Sequence, residues 1–276
     1  MQLQCPVCQD RLSTQPGQLT CAAGHSFDAA RQGYYNLLLV QKKRSRDPGD
    51  NQAMVQARRL FLDRGYYQPL SDAINLLTAD ILADQPEPQV LDVGCGEGYY
   101  TQRLAQYFAT AQRPLALAGL DISKHAIKAA CQRSREIQWL VASAVDIPIA
   151  PHSLDLALLL FSRILPDALA RPLKPGGNLL VAWPGANHLR QLRELIYDEV
   201  HDSVLDAASL LESTFETRAI NPVQAEFTLQ GSEAISELLA MTPHGQRLKP
   251  EARQRLMERD TLQLTLDVNL GWFQRR

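Results

Sequence analysis

Short apolar runs and amphipathic segments alternate along the chain, most regularly from Val90 onward. The amphipathic segments 101–108 and 123–133 have helix length and carry apolar residues on one face. Strand-length apolar runs lie around them, at residues 90–93, 114–121, 137–143, 154–161 and 177–184. This alternation predicts an α/β fold with a doubly wound, mostly parallel sheet.

The two ends of the chain show other patterns. Residues 214–273 contain β-like runs and two short helices, which predict an antiparallel edge to the sheet. Near the other end, Asp50 or Asn51 can cap a helix that Gly65 ends, and a second helix follows Pro69. Residues 84–89 are typical of a linker. We therefore expect three parts: a module at 1–35, a basic linker with helices at 36–85, and the main domain at 86–276.

Composition limits the class of protein. The chain has 276 residues, of which 45% are hydrophobic, enough for one sizeable core plus a small module. It shows neither a signal-peptide pattern nor an apolar run of about 20 residues, so we expect no membrane partner and a cytoplasmic location. Cysteines number five, an odd and small count that argues against a disulfide framework in this reducing compartment.

Charge is unevenly distributed along the chain. The net charge is −2, yet residues 1–68 hold nine Lys or Arg and five Asp, a net of +4. The basic residues cluster at Lys42, Lys43, Arg44 and Arg46. This run either contacts a polyanion or forms a solvated loop. The neighbouring Tyr34 and Tyr35 either stack on bases or anchor the linker to a core.

Four residues near the start have the spacing of metal ligands. Cys5 and Cys8 form a C-x2-C pair, and twelve residues later Cys21 and His25 form a C-x3-H pair. Two close pairs joined by a loop can surround one tetrahedral ion, and thiolates with imidazole suit Zn²⁺. Four protein ligands leave no open position, so the predicted zinc is structural.

The chemical centre is predicted at the stretch VLDVGCGEGYYT (90–101). A strand with an acid, Asp92, just inside its end leads into a turn with Gly94, Gly96 and Gly98, which opens a helix. Glycines there let the backbone approach a ligand closely. Asp121 ends the second strand, in position to bind ribose hydroxyls, and Asp146 follows the third, where an acid can accept the amino hydrogens of adenine.

This order of features, completed by the turn LKPGG (173–177), resembles the class I S-adenosylmethionine-dependent methyltransferases. The resemblance implies that the three glycines pack against the methionine part of S-adenosylmethionine. It also implies that Asp121 holds the ribose and Asp146 the adenine.

A narrower resemblance covers nearly the whole chain. Together with the cysteine-histidine module, it is carried by GYYNLL (33–38), KRSRDPGD (43–50), ARRLFLDRGYYQPL (57–70), LDVGCGEGYYT (91–101), PGANHL (184–189), LIYDEVH (195–201) and MTP (241–243). In these segments the chain is similar to the bacterial 23S rRNA guanine-N1-methyltransferases. The family implies a zinc-bearing module that recognises an RNA hairpin, a homodimer, and no DNA partner. It also implies that Tyr67, Tyr99, Tyr100 and His188 border the cofactor.

The segment after the fourth strand is the predicted place for the target base. Arg163 is positioned to stabilise the anion that develops on guanine, and Ser162 to position the base. An ordinary loop would have the same appearance. Some family members carry a proline here, which this chain lacks. Two other functions stay open: a small-molecule methyltransferase acting on a quinone or antibiotic, which would need neither the zinc module nor the basic run, and a non-catalytic zinc RNA-binding protein.

Overall fold

A computed structural model describes residues 1–43, 45–197, 199–200, 205–242 and 248–276. Arg44 of the basic run, Asp198 and His201 of the LIYDEVH segment and Pro243 of the MTP segment lie outside the described residues. Within this part of the chain, no helix is both long and apolar enough to cross a membrane.

The N-terminal module is a three-stranded antiparallel sheet. Its strands are β1 (Ser13–Gln15), β2 (Gln18–Thr20) and β3 (Ser26–Asp28), with β2 in the centre. Strand β4 (Tyr35–Asn36) and a 3₁₀ turn (Val40–Lys42) follow. Such short strands bury little apolar surface of their own, so the module depends on what it packs against and on its metal.

Two helices connect this module to the main domain. Helix α1 (Gln52–Asp63) begins where the Asn51 side chain accepts a hydrogen bond from the backbone N–H of Met54 at 3.0 Å, which identifies Asn51 as the cap. Helix α2 (Gln68–Ile81) carries Pro69 in its first turn, where the missing N–H costs no hydrogen bond. Both predicted helices are confirmed.

The main domain is built on one eight-stranded sheet. Its further elements, in chain order, are β5 (Gln89–Val93), α3 (Tyr99–Thr110), β6 (Ala116–Asp121), α4 (Lys124–Arg133), β7 (Gln138–Val141), β8 (Leu154–Leu160), α5 (Pro166–Ala170), β9 (Leu173–Pro184), α6 (Arg190–Ile196), α7 (Ala207–Leu211), β10 (Phe215–Gln230), α8 (Gly231–Met241), α9 (Pro250–Met257) and β11 (Thr261–Arg275). The strand order is β10-β11-β9-β8-β5-β6-β7-β4, and the pairs from β9 to β4 are parallel.

The predicted antiparallel edge is confirmed, with one difference. Strand β11 runs antiparallel to β9, and β10 runs antiparallel to β11. The β-like runs FETRAI (215–220) and AEFTLQ (225–230), which the sequence separates by Asn221 and Pro222, form one continuous strand, because these two residues keep the register with Leu270 and Asn269. Proline is tolerated here since β10 is the edge strand.

The sheet separates two apolar clusters, one on each face. Helices α1 to α4 and α8 cover one face. On the other face, Leu12 and Leu19 of the N-terminal module belong to the same cluster as Leu91 and Val93 of β5. The module is therefore packed directly on the domain that carries the glycine turn.

Candidate functional site

The four predicted metal ligands meet at one point. One ligand atom from each of Cys5, Cys8, Cys21 and His25 lies within 4.8 Å of the other three. Cys21 Sγ is 3.4 Å from His25 Nδ1, and Cys8 Sγ is 3.6 Å from Cys21 Sγ. A tetrahedral zinc with Zn–S of about 2.3 Å and Zn–N of about 2.0 Å needs ligand separations of roughly this size. The donor set and spacing fit a structural zinc ion.

The module is fixed to the sheet beside the predicted adenine site. Leu3 pairs with Ile149, and the Gln4 backbone N–H donates to the carbonyl of Pro148 at 3.0 Å. Arg171 donates from Nη1 to the Gln4 side chain and to the Ile149 carbonyl, both at 3.0 Å. These contacts hold the module against the loop that follows β7.

The glycine turn has the strained backbone that glycine alone accommodates easily. Gly94, Gly96 and Gly98 have φ of +79°, +56° and +84°. A β-carbon on Gly98 would lie 2.8 Å from the ring of Trp139, so the third glycine allows α3 to pack closely on the sheet. At Gly94 a β-carbon would lie 2.8 Å from Oγ of Ser162. The turn is therefore closely packed at two places, against Trp139 of the sheet and against Ser162 after β8.

Asp92 lies behind this turn and is fully buried. Thr101 donates to its Oδ2 at 2.6 Å, while Oδ1 has no hydrogen-bond partner among the described residues. Burial raises the pKa of Asp92 to about 7, against the lowering effect of the Thr101 hydrogen bond. The first predicted acid is thus poised between its protonated and charged forms near neutral pH.

Asp121 is held at the carboxyl end of β6 by backbone donors. The N–H of Gly96 donates to its Oδ2 at 3.0 Å, and the N–H of Ser123 donates to its Oδ1 at 2.7 Å. Burial raises the pKa of this carboxyl, partly offset by the two hydrogen bonds. The carboxylate stands beside the glycine turn, and its predicted ribose contact stays a prediction.

Asp146 forms an ion pair with Lys42 of the linker, and both side chains are partly exposed. The predicted adenine contact of Asp146 stays a prediction as well.

Of the aromatic residues in the GYYNLL segment, Tyr34 is buried in the core, which supports the anchoring interpretation for that ring.

The segment 47–50 lies over the end of β6, a placement that sequence reasoning missed. A β-carbon on Gly49 would lie 2.8 Å from Cβ of Ser123. Ser123 Oγ donates to the Asp50 carbonyl at 2.6 Å, and Asp47 pairs with His125 at 2.9 Å. The DPGD motif was available only as a family signature, because nothing local in it indicates a partner more than 70 residues away.

The buried Tyr67 and the half-buried His188 form a pair at the mouth of the site. Tyr67 Oη is 3.2 Å from His188 Nε2, and the backbone N–H of Asp267 donates to His188 Nδ1 at 3.3 Å. Since Nδ1 accepts, Nε2 carries the hydrogen of the neutral ring and donates to Tyr67. Burial holds the pKa of Tyr67 well above its usual range, so its hydroxyl stays protonated.

Phe161 completes this corner at the end of β8. Its φ is +53° and its side chain is 41% exposed, an unusual combination for a bulky apolar residue. The ring centroid lies 6.4 Å from that of Tyr67 and 6.1 Å from that of His188. Ser162 then reaches Gly94, whereas Arg163 is exposed. Sequence reasoning missed Phe161, because neither its positive φ nor its exposure is visible in an apolar run that it merely ends.

The two tyrosines at the start of α3 differ. Tyr99 is buried, with the guanidinium groups of Arg103 and Arg133 at 5.7 and 5.6 Å from its ring centroid, which makes it a core residue. Tyr100 has a buried hydroxyl with no hydrogen-bond partner among the described residues. The unpaired buried hydroxyl of Tyr100, in the helix that the glycine turn opens, fits a cofactor that supplies the missing partner.

Two protein families match parts of the chain. Residues 3–46 match the family described as RlmA, N-terminal, and residues 90–177 match the family described as Methyltransferase domain. Among solved structures, a SAM dependent methyltransferase from Aquifex aeolicus is 17% identical with a TM-score of 0.48, covering 63% of this chain and 94% of that one. The MccD protein is 13% identical with a TM-score of 0.48, covering 73% and 96%.

Three curated relatives are named as 23S rRNA guanine-N1-methyltransferases, two of them as putative ones. A 23S rRNA (guanine(748)-N(1))-methyltransferase of Streptomyces fradiae is 37% identical over 69% of this chain and 66% of its own length, about two thirds. A putative 23S rRNA (guanine-N(1)-)-methyltransferase of Micromonospora griseorubida is 33% identical over 69% of this chain and 68% of its own. Another, YxjB of Bacillus subtilis (strain 168), is 29% identical over 97% and 95%.

Proposed function

This chain belongs to the family of 23S rRNA (guanine-N1)-methyltransferases, and on that premise we propose that it transfers a methyl group from S-adenosylmethionine to N1 of a guanine in a hairpin of 23S rRNA. One observation carries the proposal: a module that fits structural zinc is packed on the same sheet whose carboxyl edge holds the glycine turn. A small-molecule methyltransferase needs the glycine turn but has no need of the zinc module.

The chain supplies a cofactor site at the edge of the sheet. Gly94 and Gly96 let the backbone approach the ligand, and Asp121 accepts hydrogen bonds from the ribose hydroxyls. Asp146 accepts hydrogen bonds from the adenine amino group after its ion pair with Lys42 has opened. Tyr67 and His188 close the site from α2 and from the loop after β9. When bound, S-adenosylmethionine supplies a methyl group on a sulfonium, already a strong electrophile, so the protein mainly has to align the acceptor and exclude water.

The target guanine enters at the end of β8. Phe161 offers an exposed ring on which a base can stack, and Tyr67 and His188 pack beside that ring with centroids about 6 Å away. Guanine N1 would have to lose its proton, to water or to a side chain of the site, before it could accept a methyl group, and the resulting negative charge would be shared with the carbonyl oxygen. Arg163 stabilises that charge, and Ser162 positions the base beside Gly94.

The RNA is held by the zinc module and the linker. Arg46 and the partly exposed Lys43 are available for phosphate contacts, which position a nucleic acid without reading its sequence. Proteins read RNA mainly at splayed loops, and a paired guanine would be turned out of the stack to reach Phe161. A ribosomal RNA substrate places the protein in the cytoplasm, and the family resemblance adds a homodimer to the proposal.

Methyl transfer to unmodified 23S rRNA is the direct test. The protein is incubated with labelled S-adenosylmethionine and either naked rRNA or ribosomal particles, and the product is mapped by reverse transcription. N1 methylation blocks the pairing edge, so a stop at one hairpin guanine is expected. Bound cofactor without transfer to either RNA substrate contradicts the proposal. Label transferred to a quinone or antibiotic instead would favour the small-molecule activity.

A further inference from the structure

Helix α1 delivers a cation to the glycine turn. A β-carbon on Gly96 would lie 3.5 Å from Nη1 of Arg58 and 4.0 Å from its Cδ, so the guanidinium lies directly over the turn. Arg58 is partly buried and forms an ion pair with Asp50. Among the residues that the structure describes, this pair through Nη1 is the one hydrogen bond of Arg58. A guanidinium has five N–H donors, so donors remain for a ligand.

A second unused donor lies in the helix that the glycine turn opens. The hydroxyl of Tyr100, in the first turn of α3, is buried and lacks a hydrogen-bond partner among the described residues. Tyr100 interacts electrostatically with Arg58, and burial keeps its pKa well above the usual range, so it remains an O–H donor. A buried hydroxyl without a partner is costly, which indicates that a ligand atom completes it.

These donors select one part of the cofactor. S-adenosylmethionine carries a positive sulfonium, a positive amino group, a neutral nucleoside and one anionic group, its carboxylate. A guanidinium with a neighbouring hydroxyl suits a carboxylate, because charged hydrogen bonds from Arg are the strongest of their kind. The Asp121 carboxylate, which accepts from the Gly96 N–H, also interacts with Arg58, so the cofactor carboxylate approaches the guanidinium on the side turned away from Asp121.

We propose that Arg58 and Tyr100 bind the carboxylate of the methionine moiety of S-adenosylmethionine. This rests on the cofactor use stated under the proposed function. Asp50 holds the guanidinium in place, and Ser123 in turn holds the Asp50 backbone. Arg58 lies outside residues 90–177, which match the methyltransferase domain. The cofactor site is therefore completed by the helix that follows the zinc module.

Calorimetric binding of three ligands to the full-length, zinc-loaded protein tests this. The ligands are S-adenosylhomocysteine, its carboxamide, in which the carboxylate is neutral, and methylthioadenosine, which lacks the amino-acid portion. In the unmodified protein the carboxamide should bind about 10- to 100-fold more weakly than S-adenosylhomocysteine, the range expected for a charged hydrogen bond. Arg58→Met should weaken S-adenosylhomocysteine by a similar factor and leave methylthioadenosine within about twofold.

The cycle between variant and ligand isolates the contact. In Arg58→Met the carboxamide should bind almost as tightly as S-adenosylhomocysteine, because the partner of the carboxylate is gone. Arg59→Met is the matched control: Arg59 is the next residue on α1, donates to Gln132 at 2.7 Å, and should leave all three affinities unchanged. Tyr100→Phe removes only the hydroxyl and should weaken S-adenosylhomocysteine by about 3- to 10-fold, again without effect on methylthioadenosine.

Equal losses for all three ligands in Arg58→Met would mean that Arg58 shapes the whole pocket, and would overturn the proposal. An unchanged affinity for S-adenosylhomocysteine would overturn it as well. Thermal unfolding identifies a variant that fails to fold, and the carboxamide comparison on the unmodified protein then decides alone. If the unmodified protein binds none of the ligands, cofactor use itself fails, which is a separate outcome.

Discussion

The Ser162 hydroxyl lies 2.8 Å from the place where a β-carbon on Gly94 would stand. The end of β8, where the target base is expected, thus touches the turn where the cofactor is expected. This close approach places the expected base site and the expected cofactor site next to each other.

Gly94→Ala tests this contact. Alanine would meet Ser162 and would also be strained at φ of +79°, a penalty of roughly 1–2 kcal/mol. We expect affinity for S-adenosylhomocysteine to fall at least tenfold, measured by calorimetry. Adding Ser162→Gly should restore part of that affinity by removing the clash. No restoration would show that backbone strain alone is responsible.

Removing the metal should separate RNA recognition from cofactor binding. We expect one zinc per chain by elemental analysis, and loss of that zinc in Cys21→Ala. Because the module is small, metal binding supplies much of its folding free energy. Methyl transfer to RNA should fall at least tenfold while S-adenosylhomocysteine still binds. A native protein without zinc and with the module intact would refute the site.

Phe161→Gly should reduce transfer to RNA without unfolding the protein. Glycine relieves the strain at φ of +53° but adds freedom to the unfolded chain, so the free energy of unfolding should stay within about 1 kcal/mol. The loss of a stacking surface should lower kcat/KM for RNA by roughly 5- to 150-fold, equivalent to about 1–3 kcal/mol. Phe161→Tyr keeps the ring and should keep most of the activity. Equal activity in both variants would exclude stacking.

Arg163→Ala should reduce turnover far more than cofactor affinity. An electrostatic donor to the developing guanine anion acts in the transition state, and its removal costs about 10²–10³ in kcat. Single-turnover transfer measures this step, and calorimetry checks that S-adenosylhomocysteine binding is unchanged. Arg163→Lys should recover part of the rate, since it keeps the charge. An unchanged rate in Arg163→Ala would remove Arg163 from the mechanism.

Asp92 should make stability depend on pH. Its pKa is about 7 in the folded protein and close to 3.8 when unfolded, so between these values the folded state binds the extra proton. The contribution of Asp92 to the free energy of unfolding is therefore largest below pH 4. It falls as the pH rises toward 7, by on the order of 1 kcal/mol per pH unit. Urea unfolding between pH 4.5 and 7.5 should show a shallower pH dependence for Asp92→Asn. An identical slope would refute the shift.

Local patterns were sufficient for the elements whose contacts are close in sequence. The zinc ligands come in two pairs, whose members are three and four residues apart. Each pair therefore forms from a short local turn of the chain. The same holds for the turn at Gly94–Gly98 and for the parallel strands, because a fully buried strand such as β8 must be apolar throughout.

Tertiary structure alone decided the rest of the candidate site. Tyr67 meets His188 across 121 positions, Lys42 meets Asp146 across 104, and Arg58 reaches Gly96 from a helix outside the domain. Nor does a periodic pattern report that Phe161 takes a left-handed backbone and remains exposed. Such contacts depend on how helices α1 and α2 pack on the sheet, and the free energy of that packing is shared among many apolar residues rather than encoded in one motif.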